Sequence, residues 1–198
     1  MTERDQRETR ERKGLIIVHT GNGKGKTTAA LGMLLRAWGH GMRPCVIQFI
    51  KSRKGRWGEI KAAERLGIEW HRLGDGFVRR HGMARHGMAG HGVARSSDPT
   101  EAMDRARETW ELAQGKIASG DYDLIILDEF TYPLKEGWVD TERVVAWLGE
   151  HKPSGLHLVI TGRHAPPELL ALADLVTEMG KLKHPYDRGI GAQAGIEF

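Results

Sequence analysis

The sequence predicts an α/β protein in which a mostly parallel sheet carries helices on both faces. Short runs of apolar, β-branched residues alternate along the chain with segments whose apolar residues recur at helical spacing. Two runs, residues 124–127 and 156–161, are wholly or mainly apolar, which is typical of strands covered on both faces of a parallel sheet. This alternation favours right-handed crossover units and places ligands at the carboxyl ends of the strands.

The first half of the chain is expected to hold three strands and two helices. The strands are predicted over residues 15–18, 44–50 and 68–73, and the helices over residues 27–38 and 59–66. Gly39 and Gly41 are suited to end the first helix. Cys45 falls in the second strand, so we expect it in the core.

A longer helix is predicted from Pro99 to about residue 119. Asp98 is its expected N-cap, and Glu101 completes an acidic variant of the capping box. Its apolar residues keep helical spacing and should face the core: Ala102, Met103, Ala106, Trp110, Ala113 and Ile117. A last strand is expected at residues 175–179, and the tail over residues 183–198 is interpreted as loops with an extended end.

Composition limits the classes of partner and compartment. The 198 residues suit a charged arm over residues 1–13 followed by a single domain over residues 14–198. A net charge of +4 favours acidic partners, but basic and acidic residues are interleaved, which argues against a nucleic-acid stripe. A single cysteine excludes an intrachain disulfide and a multi-thiolate metal site. Without a signal segment or a membrane-length apolar run, we expect a soluble, cytoplasmic protein.

A histidine-glycine repeat interrupts the alternation of strands and helices. Residues 81–95 contain His-Gly three times at a spacing of five, within a histidine- and glycine-rich segment over residues 74–97. Regularly placed glycines disfavour a helix, and this spacing aligns the histidines on no regular element. We interpret the segment as a mobile loop. A lid over a substrate remains open as its role, whereas a metal site would lack carboxylates and a rigid frame.

A glycine-rich loop lies between the first predicted strand and helix. It reads Thr20-Gly21-Asn22-Gly23-Lys24-Gly25-Lys26-Thr27-Thr28. In this position backbone amides and the helix dipole bind phosphate oxygens, Lys26 neutralises their charge, and the Thr27 hydroxyl can bind Mg²⁺. The usual pattern has glycine five positions before Gly25, where this chain has Thr20. The loop therefore predicts a nucleoside triphosphate site with an altered curve.

Two further strand ends are expected beside this loop. Asp128 and Glu129 follow an apolar strand, where a carboxylate can hold magnesium directly or through water. Arg163 follows another strand and either reaches the phosphates with its planar guanidinium or is an ordinary surface arginine. The chain lacks an Asn-Lys-x-Asp stretch of the kind that reads guanine, so adenine is the default base.

Together these motifs resemble one family. The loop, Gln48-Phe49-Ile50-Lys51, Leu127-Asp128-Glu129-Phe130-Thr131-Tyr132, Ile160-Thr161-Gly162-Arg163, and the tail from Lys183-His184-Pro185-Tyr186-Asp187 to Gly195-Ile196 are similar to the ATP:corrinoid adenosyltransferases of cobalamin biosynthesis. The resemblance runs from about Gly14 to Phe198 and includes the departure at Thr20. It implies a RecA-like phosphate-loop fold, a homodimer and a reduced flavoprotein as electron donor.

The resemblance also implies the reaction. Corrinoid cobalt(I) attacks C5′ of ATP and displaces triphosphate, so the nucleophile carries no proton that a base must remove. Lys26, Thr27 and Glu129 would then act by positioning and charge neutralisation, with Mg²⁺ or Mn²⁺ held by Thr27, Asp128 and Glu129. Phe77 matches an aromatic of the corrinoid site, but Arg79 stands where some members have tryptophan. The N-terminal arm either folds over the corrinoid or is a solvated tail. The alternative is an ATPase or kinase acting at the γ-phosphate.

Overall fold

The structure is a computed structural model that describes residues 13–50, 57–73 and 99–197. Six strands are present in these ranges. They are β1 (Ile16–Thr20), β2 (Pro44–Gln48), β3 (Glu69–Arg72), β4 (Leu124–Asp128), β5 (His157–Thr161) and β6 (Leu175–Glu178). Each predicted strand is confirmed, with ends that differ by at most two residues.

The helices include all three that were predicted and three that were not. They are α1 (Lys26–Gly39), α2 (Gly58–Leu66), α3 (Pro99–Ala118), α4 (Thr131–Lys135), α5 (Thr141–His151) and α6 (Pro167–Leu172). Gly41 adopts φ 73° just beyond α1, as its proposed role in ending that helix requires. The expected N-cap, Asp98, lies outside the described residues.

The tail does not have the extended end that the sequence suggested. Residues Pro185–Arg188 form a 3-10 helix, and the amides of Ile196 and Glu197 both donate to the Gln193 carbonyl. The prediction of an extended end is therefore wrong, because local turn hydrogen bonds satisfy the backbone there.

All the strands of the sheet are parallel, in the order β3-β2-β4-β5-β1-β6. The strand that leads into the glycine loop, β1, and the strand that ends in Asp128, β4, are separated by β5. Parallel strands bring their carboxyl ends to one edge of the sheet. The glycine loop, Asp128 and Thr161 therefore meet at the same edge, as the sequence predicted.

Two apolar clusters cover the two faces of the sheet. Alternate strand residues such as Val46 and Ile126 pack with Ala30 and Leu34 of α1 and Ala63 of α2. The other alternate residues pack against α3, α4, α5 and α6. Cys45 and Trp110 belong to this second cluster, which confirms both as core residues. The predicted fold class, a parallel sheet with helices on both faces, is confirmed.

Aromatic packing fixes the chain just beyond β4. Phe130 is fully buried, with its ring centroid 4.5 Å from that of Phe49 and 5.0 Å from that of Trp110. Because Phe130 directly follows Asp128 and Glu129, this anchor limits how far the two carboxylates can move. Within the described ranges, the helices are all too short or too polar to cross a membrane.

Candidate nucleotide-binding site

The glycine loop connects β1 to the amino end of α1. Gly25 precedes the helix in a left-handed conformation, φ 109°, and makes no side-chain capping hydrogen bond. The first turn of α1 also carries no acidic residue. This 14-residue helix therefore presents its first backbone amides and the positive end of its dipole to the loop, an arrangement that suits an anion.

Lys26, the first residue of α1, is buried inside the loop. Its ammonium donates to the carbonyl oxygens of Gly21 at 2.8 Å and Gly23 at 2.7 Å. Burial lowers the pKa of Lys26, the charge of Glu129 opposes that effect, and Arg163 adds to it. The loop thus surrounds a lysine whose charge is only partly compensated, and a phosphate group would compensate it further.

A segment that the sequence did not connect to the site, residues 179 and 180, approaches the loop so closely that two loop positions must be glycine. Gly23 donates its amide to the Met179 carbonyl at 2.6 Å, and Met179 donates its own amide to Thr20 at 2.9 Å. A Cβ at Gly21 would lie 2.5 Å from the Met179 oxygen, and one at Gly23 would lie 2.6 Å from the Gly180 oxygen. Residues 179 and 180 therefore pack directly on the loop.

Thr20 replaces the usual glycine without disturbing the strand. It is the last residue of β1, and its hydroxyl accepts a hydrogen bond from the amide of Ala165 at 3.2 Å. The side chain thereby joins the glycine loop to the segment after β5. A glycine at this position could not form that contact.

Asp128 is the central carboxylate of the site and is 1% exposed. Its Oδ1 accepts hydrogen bonds from the hydroxyls of Thr27 and Thr161, both at 2.8 Å. Its Oδ2 accepts a hydrogen bond from Nε2 of Gln48 at 2.9 Å. The predicted pair of Thr27 and Asp128 is thus brought together. Gln48 and Thr161 stood in the motifs that carry the resemblance, but neither was predicted to contact Asp128.

The pairing of neighbouring strands could have predicted the contacts of Gln48 and Thr161 with Asp128. Gln48 and Asp128 are directly opposite each other on neighbouring parallel strands. Thr161 ends β5 on the other side of β4. In the sequence, a polar residue at the end of an apolar strand indicates such a contact when that strand neighbours the strand of the carboxylate. The strand order must be known before this indication can be used.

Glu129 has a backbone conformation that is rare for a non-glycine residue, φ 60°. Its amide donates to the Thr161 hydroxyl at 3.0 Å, and its side chain is half-buried. Its charge favours the protonated form of Lys26. Strained backbone of this kind is concentrated at functional sites, which supports Glu129 as a candidate site residue.

Arg163 follows β5 with an exposed side chain, yet it lies near enough to Lys26 to lower the pKa of that lysine. Its backbone carbonyl accepts a hydrogen bond from Thr131 at 2.8 Å. Gly162 allows this approach, since a Cβ there would lie 2.0 Å from the Thr131 hydroxyl oxygen. The structure therefore places Arg163 at the site edge with a fixed backbone.

The remaining predicted site residues have varied positions. Gly25 is half-buried, whereas the side chains of Asn22 and Thr28 are exposed. Lys24 forms an ion pair with Glu197 near the end of the chain. Phe77, the histidine-glycine repeat and the N-terminal arm lie outside the described residues.

A different group of possible metal ligands lies away from the loop. Within the described ranges, Cys45, Glu69 and His71 come within 4.8 Å of one another near the amino ends of β2 and β3. Lys116 and Tyr122 already donate to Glu69, at 2.8 Å and 2.5 Å. Burial raises the pKa of the Cys45 thiol to about 12. A protonated thiol and an ammonium beside the carboxylate disfavour a cation here.

Comparison with known proteins identifies the family. A family model described as ATP:corrinoid adenosyltransferase BtuR/CobO/CobP matches residues 12–198. Three similar proteins are each named corrinoid adenosyltransferase. The one from Pseudomonas aeruginosa is 36% identical over 193 residues, covering 96% of this chain and 87% of that protein. The one from Sinorhizobium sp. is 40% identical over 196 residues, covering 95% and 82%. The one from Escherichia coli K12 is 38% identical over 193 residues, covering 96% and 89%.

The family match and the geometry of the loop both indicate a protein that binds a nucleoside triphosphate. A glycine loop with a buried lysine and a hydroxyl-bound carboxylate is an arrangement that binds a triphosphate. The relatives are aligned over nearly the full length of the chain, and so is the family model. The chain therefore belongs to the ATP:corrinoid adenosyltransferase family, whose members transfer the adenosyl group of ATP to a corrinoid.

Proposed function

We propose that this chain transfers the 5′-deoxyadenosyl group of ATP to the cobalt(I) centre of a corrinoid and releases triphosphate, within adenosylcobalamin biosynthesis. The observation that carries the proposal is the contact between the Thr27 hydroxyl of the phosphate loop and the buried Asp128 carboxylate. That contact joins a triphosphate cradle to a carboxylate in a chain of this family.

The reaction is a displacement at carbon. The electron pair of cobalt(I), which belongs to the corrinoid substrate, forms a bond to C5′ of the ribose. The bond between C5′ and its oxygen breaks, and triphosphate leaves with that electron pair. The nucleophile carries no proton, so the protein needs no general base. What it supplies is alignment of the two substrates and stabilisation of charge on the departing triphosphate.

The loop residues from Thr20 to Thr28 are proposed to bind the triphosphate. The amides at the start of α1 would donate to its oxygens, and Lys26 would exchange its bonds to the Gly21 and Gly23 carbonyls for phosphate oxygens. Arg163, at the edge of the site, would add a second positive charge. Phe77 is proposed to contact the corrinoid.

The residues present fit a divalent cation. Mg²⁺ prefers oxygen ligands, and the Thr27 hydroxyl and Asp128 carboxylate oxygens already lie 2.8 Å apart, with Glu129 following directly. Thr27, Asp128 and Glu129 are therefore proposed to hold Mg²⁺ or Mn²⁺. A bound cation would supply further stabilisation of negative charge on the triphosphate. Glu129 is assigned this electrostatic role, because the reaction leaves no proton for it to remove.

The partners and compartment are also proposals. We infer a homodimer that works in the cytoplasm and receives electrons from a reduced flavoprotein. The dimer is supported by the exposed edge strand β6, in which Leu175 and Val176 are 40% and 44% exposed. Apolar side chains on an edge strand are usually covered by another surface.

An anaerobic product assay tests the proposed function. The chain is incubated with ATP, Mg²⁺ and chemically reduced corrinoid, while the cobalt–carbon bond is followed spectrally and triphosphate is separated by chromatography. We expect one triphosphate for each new bond and none when corrinoid is omitted. Formation of ADP without a change in the corrinoid spectrum would instead support an ATPase or kinase in which Glu129 orients the attacking group.

A further inference from the structure

Gln48 is a fully buried polar residue at the end of an apolar strand. It closes β2 after Cys45, Val46 and Ile47, and its side chain is 0% exposed. Its Nε2 donates to Oδ2 of Asp128 at 2.9 Å, while its Oε1 accepts a hydrogen bond from Nε1 of Trp70 at 3.0 Å. A buried amide is costly unless both its ends are satisfied, and here both are.

The chemistry of its two partners defines how the amide is oriented. The indole nitrogen of Trp70 can only donate, so it requires the oxygen end of Gln48. The Asp128 carboxylate can only accept when ionised, so it requires the nitrogen end. Trp70 therefore orients the amide so that an N–H group faces Asp128. The strand register brings the three side chains together. Trp70 lies opposite Val46, which shares a sheet face with Gln48, and Gln48 lies opposite Asp128.

This contact helps to fix the plane of the Asp128 carboxylate. With one oxygen held by Gln48, the other is presented to the hydroxyls of Thr27 and Thr161. Without the Gln48 bond, only the oxygen that faces Thr27 and Thr161 would be held, so the plane of the carboxylate would be less restricted. Stabilisation of the sheet does not require the contact, since β2 is already paired with β4 by a five-residue register.

We propose that Gln48, oriented by Trp70, is a positioning residue that sets the Asp128 carboxylate against Thr27 and thereby tunes metal-dependent binding of ATP. This inference rests on the proposed function, in which Thr27 and Asp128 hold the cation. The two ends of the Gln48 amide are engaged by Asp128 and Trp70, so Gln48 acts on ATP through Asp128. Its effect is therefore confined to the part of ATP affinity that depends on the cation.

The test compares ATP binding with and without magnesium. Calorimetric titrations of the full chain use ATP with excess MgCl₂ and, separately, ATP with EDTA. For Gln48→Met, which keeps the side-chain length but removes the amide, affinity with MgCl₂ falls about tenfold, whereas affinity in EDTA changes by less than about twofold. The matched control is Thr109→Val, since Thr109 is equally buried but its hydroxyl donates within α3, to the Arg105 carbonyl. It leaves both affinities unchanged.

Each other outcome has a defined meaning. Equal weakening with and without magnesium, or no weakening, overturns the role of Gln48. If the unaltered chain binds ATP equally well in both conditions, the proposed cation site fails first. Should Gln48→Met not fold, Trp70→Phe carries the test, because it keeps an aromatic ring and removes the indole N–H that holds Oε1 of Gln48; we expect a loss of roughly two- to threefold with magnesium alone. An unchanged affinity in Trp70→Phe then overturns the proposal.

Discussion

Lys26 and Lys152 are two lysines of similar local chemistry at opposite ends of the sheet. The Lys152 ammonium donates to the carbonyls of Gly14 and Pro153, both at 3.1 Å, much as Lys26 donates to Gly21 and Gly23. Burial is the main cause that lowers the pKa of each. Only Lys26 lies at the edge where the loop and Asp128 meet.

Replacing each lysine by methionine distinguishes the effect on ATP binding of losing a charge at the site from the effect of losing a buried lysine elsewhere. We expect Lys26→Met to weaken ATP binding roughly tenfold to a hundredfold, because a charge-assisted hydrogen bond to phosphate is lost. Lys152→Met should bind ATP as the unaltered chain does. Calorimetric titration measures both. Equal affinities in the two variants would contradict the assignment of Lys26 to the triphosphate.

Gly23 makes a second prediction at the scale of one residue. Gly23→Ala would place a Cβ 2.6 Å from the Gly180 oxygen and 2.7 Å from the Met179 oxygen. Because these are backbone atoms, we expect the free energy of unfolding to fall by about 1–3 kcal/mol. The control is Gly32→Ala in α1, where an added Cβ meets nothing within 4 Å and should stabilise the helix. Urea unfolding compares them, and equal stabilities would refute the proposed packing of residues 179 and 180 on the loop.

Local spacing accounts for the site residues that the sequence predicted. Lys26 and Thr27 follow directly from the glycine loop, and Asp128 from the apolar run before it. Gln48, Thr161 and Met179 could not be found in this way, because their contacts arise from strand order and register. Gln48 and Thr161 end strands β2 and β5, and Met179 directly follows β6.

At the scale of elements, the edge strand β3 is tied to the end of α3. Glu69 of β3 accepts hydrogen bonds from Lys116, Tyr122 and His71, at 2.8 Å, 2.5 Å and 2.6 Å. The bond from Lys116 is the largest cause that lowers the pKa of Glu69, to about 2. The ionised carboxylate is therefore the form that joins the strand to the helix.

This tie predicts a dependence of stability on acid. Because the folded pKa of Glu69 is about 2, below its ordinary value of 4.5, its contribution is complete above pH 4.5 and is lost as the pH falls towards 2. The melting temperature of Glu69→Gln should therefore lie below that of the unaltered chain near neutral pH and approach it in acid. Glu64→Gln, which alters an exposed carboxylate on α2, should show the same dependence of melting temperature on pH as the unaltered chain. A parallel decline of Glu69→Gln and the unaltered chain would contradict the tie.

The three unpredicted helices show what sequence reasoning can recover. Helix α5 has a clear start signal, since Asp140 caps it by accepting a hydrogen bond from the Arg143 amide at 2.9 Å. Helix α6 begins with proline, which is also a recognised signal. By contrast, α4 spans five residues around Pro133 and is held by tertiary packing of Leu134. Local pattern alone would not predict α4.

At the scale of the whole molecule, assembly is the first prediction. The exposed apolar residues of β6 lead us to expect a homodimer. Analytical ultracentrifugation should therefore give a mass twice the 22.1 kDa of one chain. A single-chain mass at all accessible concentrations would contradict the proposed dimer, while leaving the nucleotide site unaffected.

The central claim is that the phosphate loop holds triphosphate as a leaving group while the chemistry occurs at the ribose carbon. It is tested most directly with ATP that carries ¹⁸O at the oxygen joining C5′ to the α-phosphorus. Attack by cobalt(I) at C5′ breaks the carbon–oxygen bond, so mass spectrometry should find the label in triphosphate and none in the adenosylated corrinoid. Label recovered in ADP, with unlabelled phosphate released beside it, would show transfer at the γ-phosphate and contradict the account.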